Sequence, residues 1–461
     1  MRKILFLLIP CICSTLLFSQ QSSWKSGQDG WVMKKSPLST QYEKFFAIGL
    51  WNMPGYTADA MEKNPDSYRK NAKQYLDKTS LYNIVYMPPG NTKDLHGRIE
   101  ITGSIGFYNS LNEYQSKIPG IVKSADSDYA KRQYVKENVN DTQFVNMLDS
   151  LINHTMVTNG VVDHIWAPID EIANGGGGSG WCWHPAVGEK IKERIKRQEK
   201  NTLIYTDLMG VGRGNTYLFE RNYLANHKSM PVSPPYEALG QEPRIMKERP
   251  LLGFSRSYDQ RPVYIEGTAY YTEYDLETLK TLFFENIKIC SKDYIGCGDV
   301  FGINAFIDFN TYPVLAGVTV DAIKAGAGTD TPVWLFFDGN GYAKPSDLSV
   351  EDFIQLIKCQ IYTSIIHGAT GVLFWNDRSN SPEVFNALEP LVKELTDNLS
   401  IIYLDTQEIK ASNDLHYMIK TDSKNRYIIA SNTSKTETIE LNTPYINKKI
   451  LKPLEVFISS F

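Results

Sequence analysis

The chain has 461 residues, 42% of them hydrophobic and 22% charged, with a formal net charge of −4. That composition suits a globular protein with one large domain and a small one, and it excludes a disordered or collagen-like chain. The acidic balance argues against nucleic acid as a partner.

Residues 1–20, MRKILFLLIPCICSTLLFSQ, begin with two basic side chains, run through an apolar stretch from Ile4 to Phe18 and end in small and polar residues. This is the three-part layout of a secretory signal peptide, and the stretch is shorter than the ~20 apolar residues of a membrane anchor. Export to the periplasm, cell surface or medium is expected, with cleavage near Gln20 and no membrane span afterwards. Cys182, Cys290, Cys297 and Cys359 lack CxxC spacing, so neither a zinc site nor a disulfide framework is indicated. Cys290 and Cys297 are either a pair or two buried thiols.

Strand-like runs follow at 45–51 (FFAIGLW), 81–87 (LYNIVYM), within 97–108 (GRIEITGSIGFY), and at 161–167 (VVDHIWA), 202–209 (TLIYTDLM), 299–307 (DVFGINAFI), 332–337 (PVWLFF) and 371–375 (GVLFW). Several show little alternation, as in strands covered on both faces. Apolar residues at helical spacing fill 66–78, 142–154, 186–200, 275–290, 350–367 and 382–396. Eight strands alternating with helices before residue 380 predict a (β/α)8 TIM barrel over 21–400, not an open doubly wound sheet. No GxGxxG follows the first strand, so a dinucleotide cofactor is not implied. Residues 211–262, rich in Pro, Gly, Arg and Tyr, read as a long insertion between strands five and six. From 401 to 461, short alternating strands and polar turns predict a small C-terminal antiparallel β-domain.

In such a barrel the functional loops follow the carboxyl ends of the strands. The polar and aromatic residues found there are Trp51 and Asn52 after strand one, Asp170 and Glu171 after strand four, and Asp207 at the end of strand five. Strand six supplies Asp308 and Tyr312, strand seven Asp338, and strand eight Trp375, Asn376 and Asp377. Convergent carboxylates suit glycosidic bond cleavage: one protonates the leaving oxygen while a second attacks the sugar or activates water, and flat rings cover the sugar faces. Gly175 to Gly178 allow close backbone approach to a ligand, and Trp181, Trp183 and His184 would then set rings at the rim. Trp334 lies inside its strand and suits the core equally well; His367 ends a helix and suits its last carbonyls. Without HExxH, no transition metal or other cofactor is implied, and a carboxylate site for Ca²⁺ or Mg²⁺ is a third reading.

The segments IWAPIDEI, DVFGINAFIDFNTYP, TPVWLFFDG and IYTSIIHGATGVLFWN, taken in this order, resemble the (β/α)8 glycoside hydrolases of the large retaining clan over roughly 40–400. In that clan a Glu after strand four, usually preceded by Asn, is the acid/base; Glu171 matches it and Asp170 replaces the Asn. The resemblance implies a carbohydrate substrate, an oligo- or polysaccharide. The clan's nucleophile is a Glu ending strand seven, where this chain has Asp338. Three outcomes stay open: Asp338 attacks from a shifted backbone, a wider gap admits water and inverts the sugar, or the barrel binds carbohydrate without cleaving it. Asp308 or Glu266 are alternative second carboxylates.

Overall fold

The structure, a computed structural model, describes residues 23–36, 39–51, 80–86, 99–102, 134–159, 163–169, 172–173, 183–208, 276–375 and 382–461. It also describes positions 111, 114, 217, 218 and 221 and short strands at 245–246, 263–265 and 268–272. Eight parallel strands among these residues form the centre: β1 (Ala47–Trp51), β2 (Ile84–Tyr86), β3 (Ile99–Thr102), β4 (His164–Trp166), β5 (Tyr205–Asp207), β6 (Val300–Gly302), β7 (Trp334–Asp338) and β8 (Gly371–Trp375). β7-β8-β1-β2-β3-β4 form one continuous sheet, and β5 pairs with β6. Parallel bridges close both gaps: Trp166 with Ile204 between β4 and β5, and Phe301 with Val333 and Asn304 with Phe336 between β6 and β7. The Trp166 N–H donates to the Leu203 carbonyl at 2.8 Å, and the Phe301 N–H to the Pro332 carbonyl at 3.0 Å. Every strand therefore has two neighbours, and the predicted eight-stranded barrel is closed.

The strand side chains divide by the two-residue period of extended backbone. Ala47, Trp51, Ile84, Ile99, Ile101, Ile165, Ala167, Tyr205, Val300, Trp334, Phe336 and Leu373 form the inner cluster. Their neighbours Ile48, Leu50, Trp166, Phe301, Leu335, Phe337, Val372 and Phe374 join the cluster between strands and helices. Inward glycines make room for the large rings. A Cβ on Gly302 would fall 1.8 Å from the Tyr205 hydroxyl and 2.3 Å from the Trp334 carbonyl oxygen, and one on Gly49 would fall 2.2 Å from a Leu373 methyl. Small and large residues thus alternate around the cylinder, which is a packed core and not a pore.

The outer layer holds α1 (Thr142–Asn159), α2 (Pro185–Gln198), α3 (Leu276–Asp293), α4 (Phe306–Thr311), α5 (Val314–Ala327), α6 (Val350–Ile366), α7 (Pro382–Ala387) and α8 (Glu389–Asp397). The single helix expected over 382–396 is broken at Leu388, because Pro390 has no N–H to continue the ladder. α5 was not anticipated: its β-branched residues and glycines carry weak helix propensity, and burial on nearly every side stabilises it instead. The expected helix 66–78 lies outside the described residues. Cys290, Cys297 and Cys359 are buried and form no disulfide, so the first two are not a pair.

The strands 23–26, 32–35 and 43–45 form an antiparallel sheet whose Trp24, Val32 and Phe45 pack against the inner cluster. Phe45 lies 6.3 Å from the Trp334 ring and 5.2 Å from Trp24, so this sheet covers the amino-terminal mouth of the barrel. After the barrel come β9 (Asp405–Ser412), β10 (Leu415–Thr421), β11 (Arg426–Asn432), β12 (Ile439–Leu441), β13 (Lys449–Leu451) and β14 (Val456–Ser460). β9-β10-β11-β14 make an antiparallel sheet, and β12 pairs with β13. The sheet is tied to α6: Thr363 and Ser431 hydroxyls meet at 2.9 Å, and the Cys359 thiol donates to the Asn432 carbonyl at 3.3 Å. No helix among the described residues is long and apolar enough to cross a membrane.

Candidate functional site at the carboxyl ends of the strands

Three inward positions share one register at the end of the barrel: Asp338 on β7 pairs with Trp375 on β8, which pairs with Trp51 on β1. Facing them is Asp207, inward on β5 because it lies two residues beyond Tyr205 of the inner cluster. Asn304 continues the inward series of Val300 and Gly302 on β6, and its Nδ2 donates to Asp207 Oδ2 at 3.4 Å. Two carboxylates, an amide and two indoles thus converge on one end of the cylinder, where barrel sites form.

Asp338 is 1% exposed, and the backbone of the loop it begins engages both of its oxygens. Oδ1 accepts the Asn340 N–H at 3.2 Å and the Tyr342 N–H at 3.0 Å; Oδ2 accepts the Ala343 N–H at 2.6 Å. Burial raises its pKa above the usual carboxylate range, against the lowering effect of these donors. Three backbone N–H groups of its own loop thus hold the Asp338 carboxylate in place and tie the loop to the end of β7. The loop is fixed further by Asn310, whose Nδ2 donates to the Ala343 carbonyl at 3.0 Å while Lys435 of the C-terminal sheet donates to the Asn310 carbonyl at 2.8 Å.

Trp375 is the half-buried ring of the site. Phe306 stacks on it at 5.4 Å and 24°, and Tyr342 meets it edge-on at 4.9 Å, so its orientation is fixed from two sides. Trp51 is 3% exposed and packs edge-on against Phe336 at 5.2 Å, so it forms part of the barrel floor and not an open platform. Asp308 is half-buried in the first turn of α4, two residues after Phe306.

Three further expectations are corrected. Trp183 is 2% exposed and belongs to the cluster between strands and helices, with its backbone N–H donating to the Ile172 carbonyl at 2.8 Å, so it is core and not rim. Tyr312 packs against that same cluster, away from the inward set, and its N–H closes α4 on the Asp308 carbonyl at 2.8 Å. His184 is the N-cap of α2: its Nδ1 accepts the Ala186 N–H at 3.2 Å, and burial together with Lys136 lowers its pKa to about 4, which leaves that nitrogen free to accept. Asn52, Asp170, Glu171, Trp181, Glu266, Asn376 and Asp377 lie outside the described residues. Their flanks are placed: the Ile172 N–H donates to the Asp207 carbonyl at 3.0 Å, which ties the chain after strand four to the end of β5.

Asn304, Phe306 and Tyr342 were missed in the sequence. Period-two counting from Val300 through Gly302 reaches Asn304, so that residue was accessible; the ring contacts of Phe306 and Tyr342 join distant segments and left no local signal. Among the described residues no group of His, Cys, Asp or Glu is placed to hold a metal ion.

No protein-family profile matches the sequence, and no curated protein does. Solved structures with a similar chain path include the Anoxybacillus α-amylase, at 9% identity and TM-score 0.47 over 90% of this chain and 97% of that one. Another is Eubacterium rectale Amy13B, at 7% identity and TM-score 0.46 over 96% and 97%. A third is a family 39 glycoside hydrolase from Bacteroides cellulosilyticus WH2, at 9% identity and TM-score 0.40 over 92% and 80%. The strand order alone makes this chain a (β/α)8 barrel followed by a C-terminal antiparallel β-sheet.

Proposed function

We propose that the protein is an exported glycoside hydrolase acting on an oligo- or polysaccharide by a two-carboxylate mechanism. The observation that carries this reading is the inward layer at the strand ends, which brings Asp207, Asp338 and the oriented ring of Trp375 to the same end of the barrel. Acids that cleave a glycosidic bond must reach one sugar from separate strands, and an apolar ring fixes the sugar face between them. Glu171, at the position of the clan's acid/base, is the proton donor. Asp207, held by Asn304, is assigned as the second carboxylate, and Asp338, engaged by its loop backbone, as the acid that anchors the rim. Export rests on the leader-like residues 1–20.

The test is a screen of glycans for newly released reducing ends. With a responsive glycan in hand, Glu171→Gln and Asp207→Asn should each lower turnover by about 10²-fold or more at temperatures where a melting curve shows the variant fully folded. Full turnover in either variant removes that residue from its role. The engaged state of Asp338 also supports a second reading, a barrel that binds carbohydrate without cleaving it. Tight glycan binding with no reducing ends released would establish that reading instead.

A further inference from the structure

One buried acceptor at the rim is left over by the fold. Asn304 is 9% exposed, and its Oδ1 has no hydrogen-bond partner, although its Nδ2 donates to Asp207 at 3.4 Å. Leaving such an acceptor unpaired forfeits its hydration without a compensating bond, so an orphan in a native interior calls for an explanation. The orientation of the amide is not arbitrary. Turned over, it would set an oxygen against the Asp207 carboxylate, two acceptors face to face; with Nδ2 on Asp207, Oδ1 must project the other way.

The surroundings indicate what Oδ1 would meet. Asn304 bridges Phe336, an inner residue of β7, and two residues later Phe306 stacks on Trp375. The acceptor thus belongs to the same end of the barrel as the partly exposed, oriented ring of Trp375. An aromatic face beside carboxylate and amide oxygens is chemistry that receives hydroxyl hydrogens from a ring with apolar faces, which describes a pyranose.

We propose that Asn304 contacts the substrate and helps set its specificity: Oδ1 accepts a hydroxyl hydrogen from the sugar ring lying against Trp375, while the Nδ2 bond to Asp207 holds the amide in the orientation that presents this acceptor. The inference rests on the glycosidase reading and adds to it a residue that discriminates between sugars by a single hydroxyl. A site built around a buried acceptor rejects an analogue lacking the matching donor, because the acceptor then stays unpaired.

The experiment uses the full-length protein and the glycan identified by reducing-end release, together with the monodeoxy analogues of its terminal sugars. For the wild type, one analogue should lose ~10–100-fold in kcat/KM, while the others change little. Asn304→Ala should lose a comparable factor on the parent glycan and none further on that one analogue, so the two losses do not add. Asn304→Asp keeps an oxygen but faces Asp207 with a like charge, and should be weaker than wild type with a shifted pH profile. Thermal melting identifies a variant that fails to fold, and in that event the wild-type analogue series decides alone. Equal kcat/KM across all analogues, or losses for Asn304→Ala and the analogue that multiply, would overturn the role of Asn304 and leave the glycosidase reading standing. Absence of glycan cleavage and binding by the wild type would remove both.

Discussion

His367 Nε2 lies 3.0 Å from His416 Nδ1, and this contact joins the barrel to the C-terminal sheet. His367 caps α6, and its Nδ1 meets Asp321 of α5 at 2.8 Å; His416 sits on β10, with Thr433 at 3.5 Å from its other nitrogen. The helix-end position expected for His367 is correct, but its ring reaches across the junction.

The first prediction concerns acid stability. Burial, and secondarily the neighbouring His367, lower the His416 pKa to about 3 from its ordinary 6.5. The unfolded chain therefore takes up a proton on His416 between pH 6.5 and 3 that the folded chain refuses, so stability is full above pH 6.5 and declines as pH falls below it. The loss should reach about 1–3 kcal/mol by pH 4.5. Melting temperatures of wild type and His416→Gln measured from pH 7.5 to 4.5 check it: the wild type should fall more steeply. Parallel curves would show that His416 does not refuse the proton.

Asp338→Asn separates a loop anchor from a nucleophile. The amide would turn an NH₂ towards N–H groups that now donate to Asp338 Oδ1 or Oδ2, leaving donors face to face in a buried place. A destabilisation of about 1–3 kcal/mol is expected, read by chemical denaturation. Loss of activity with unchanged stability would restore Asp338 to the nucleophile's role.

Gly302→Ala tests the interior packing. The new methyl would meet both the Tyr205 hydroxyl and the Trp334 carbonyl. A cost of about 3 kcal/mol or more is expected, and Tyr205→Phe should rescue little of it, because the carbonyl belongs to the backbone and cannot withdraw. Complete rescue in the double variant would show that the hydroxyl alone sets the limit.

These cases show why some of the fold was legible and some was not. Strand runs such as WLFF and GVLFW are continuous apolar stretches because both faces are covered, and the eightfold alternation with helices follows from local pattern. Counting by twos also places Asp207 and Asp338 inward. What the pattern cannot carry is who meets whom across the barrel. Asp338 looks like a free acid in FFDGN until Ala343 folds back on it, and Trp183 looks like a rim ring after four glycines until Ile172 fixes its backbone beneath α2. Helix α5 stayed hidden for the opposite reason: its stability comes from burial that no local propensity reports.

Two of the tryptophans assigned to the rim from sequence, Trp183 and Trp375, now make opposite predictions. Trp183 is enclosed between strands and helices, so Trp183→Ala should cost about 3–5 kcal/mol and reduce glycan binding only as far as it unfolds the protein. Trp375 is half-buried and held by Phe306 and Tyr342, so Trp375→Ala should cost less stability and remove a sugar platform. Glycan affinity should then fall about 10-fold or more in Trp375→Ala at temperatures where the variant is fully folded. Calorimetric titration beside a melting curve for each variant measures both quantities. If Trp375→Ala melts early yet binds glycan as the wild type does, its ring serves packing, and the binding face of this barrel lies elsewhere.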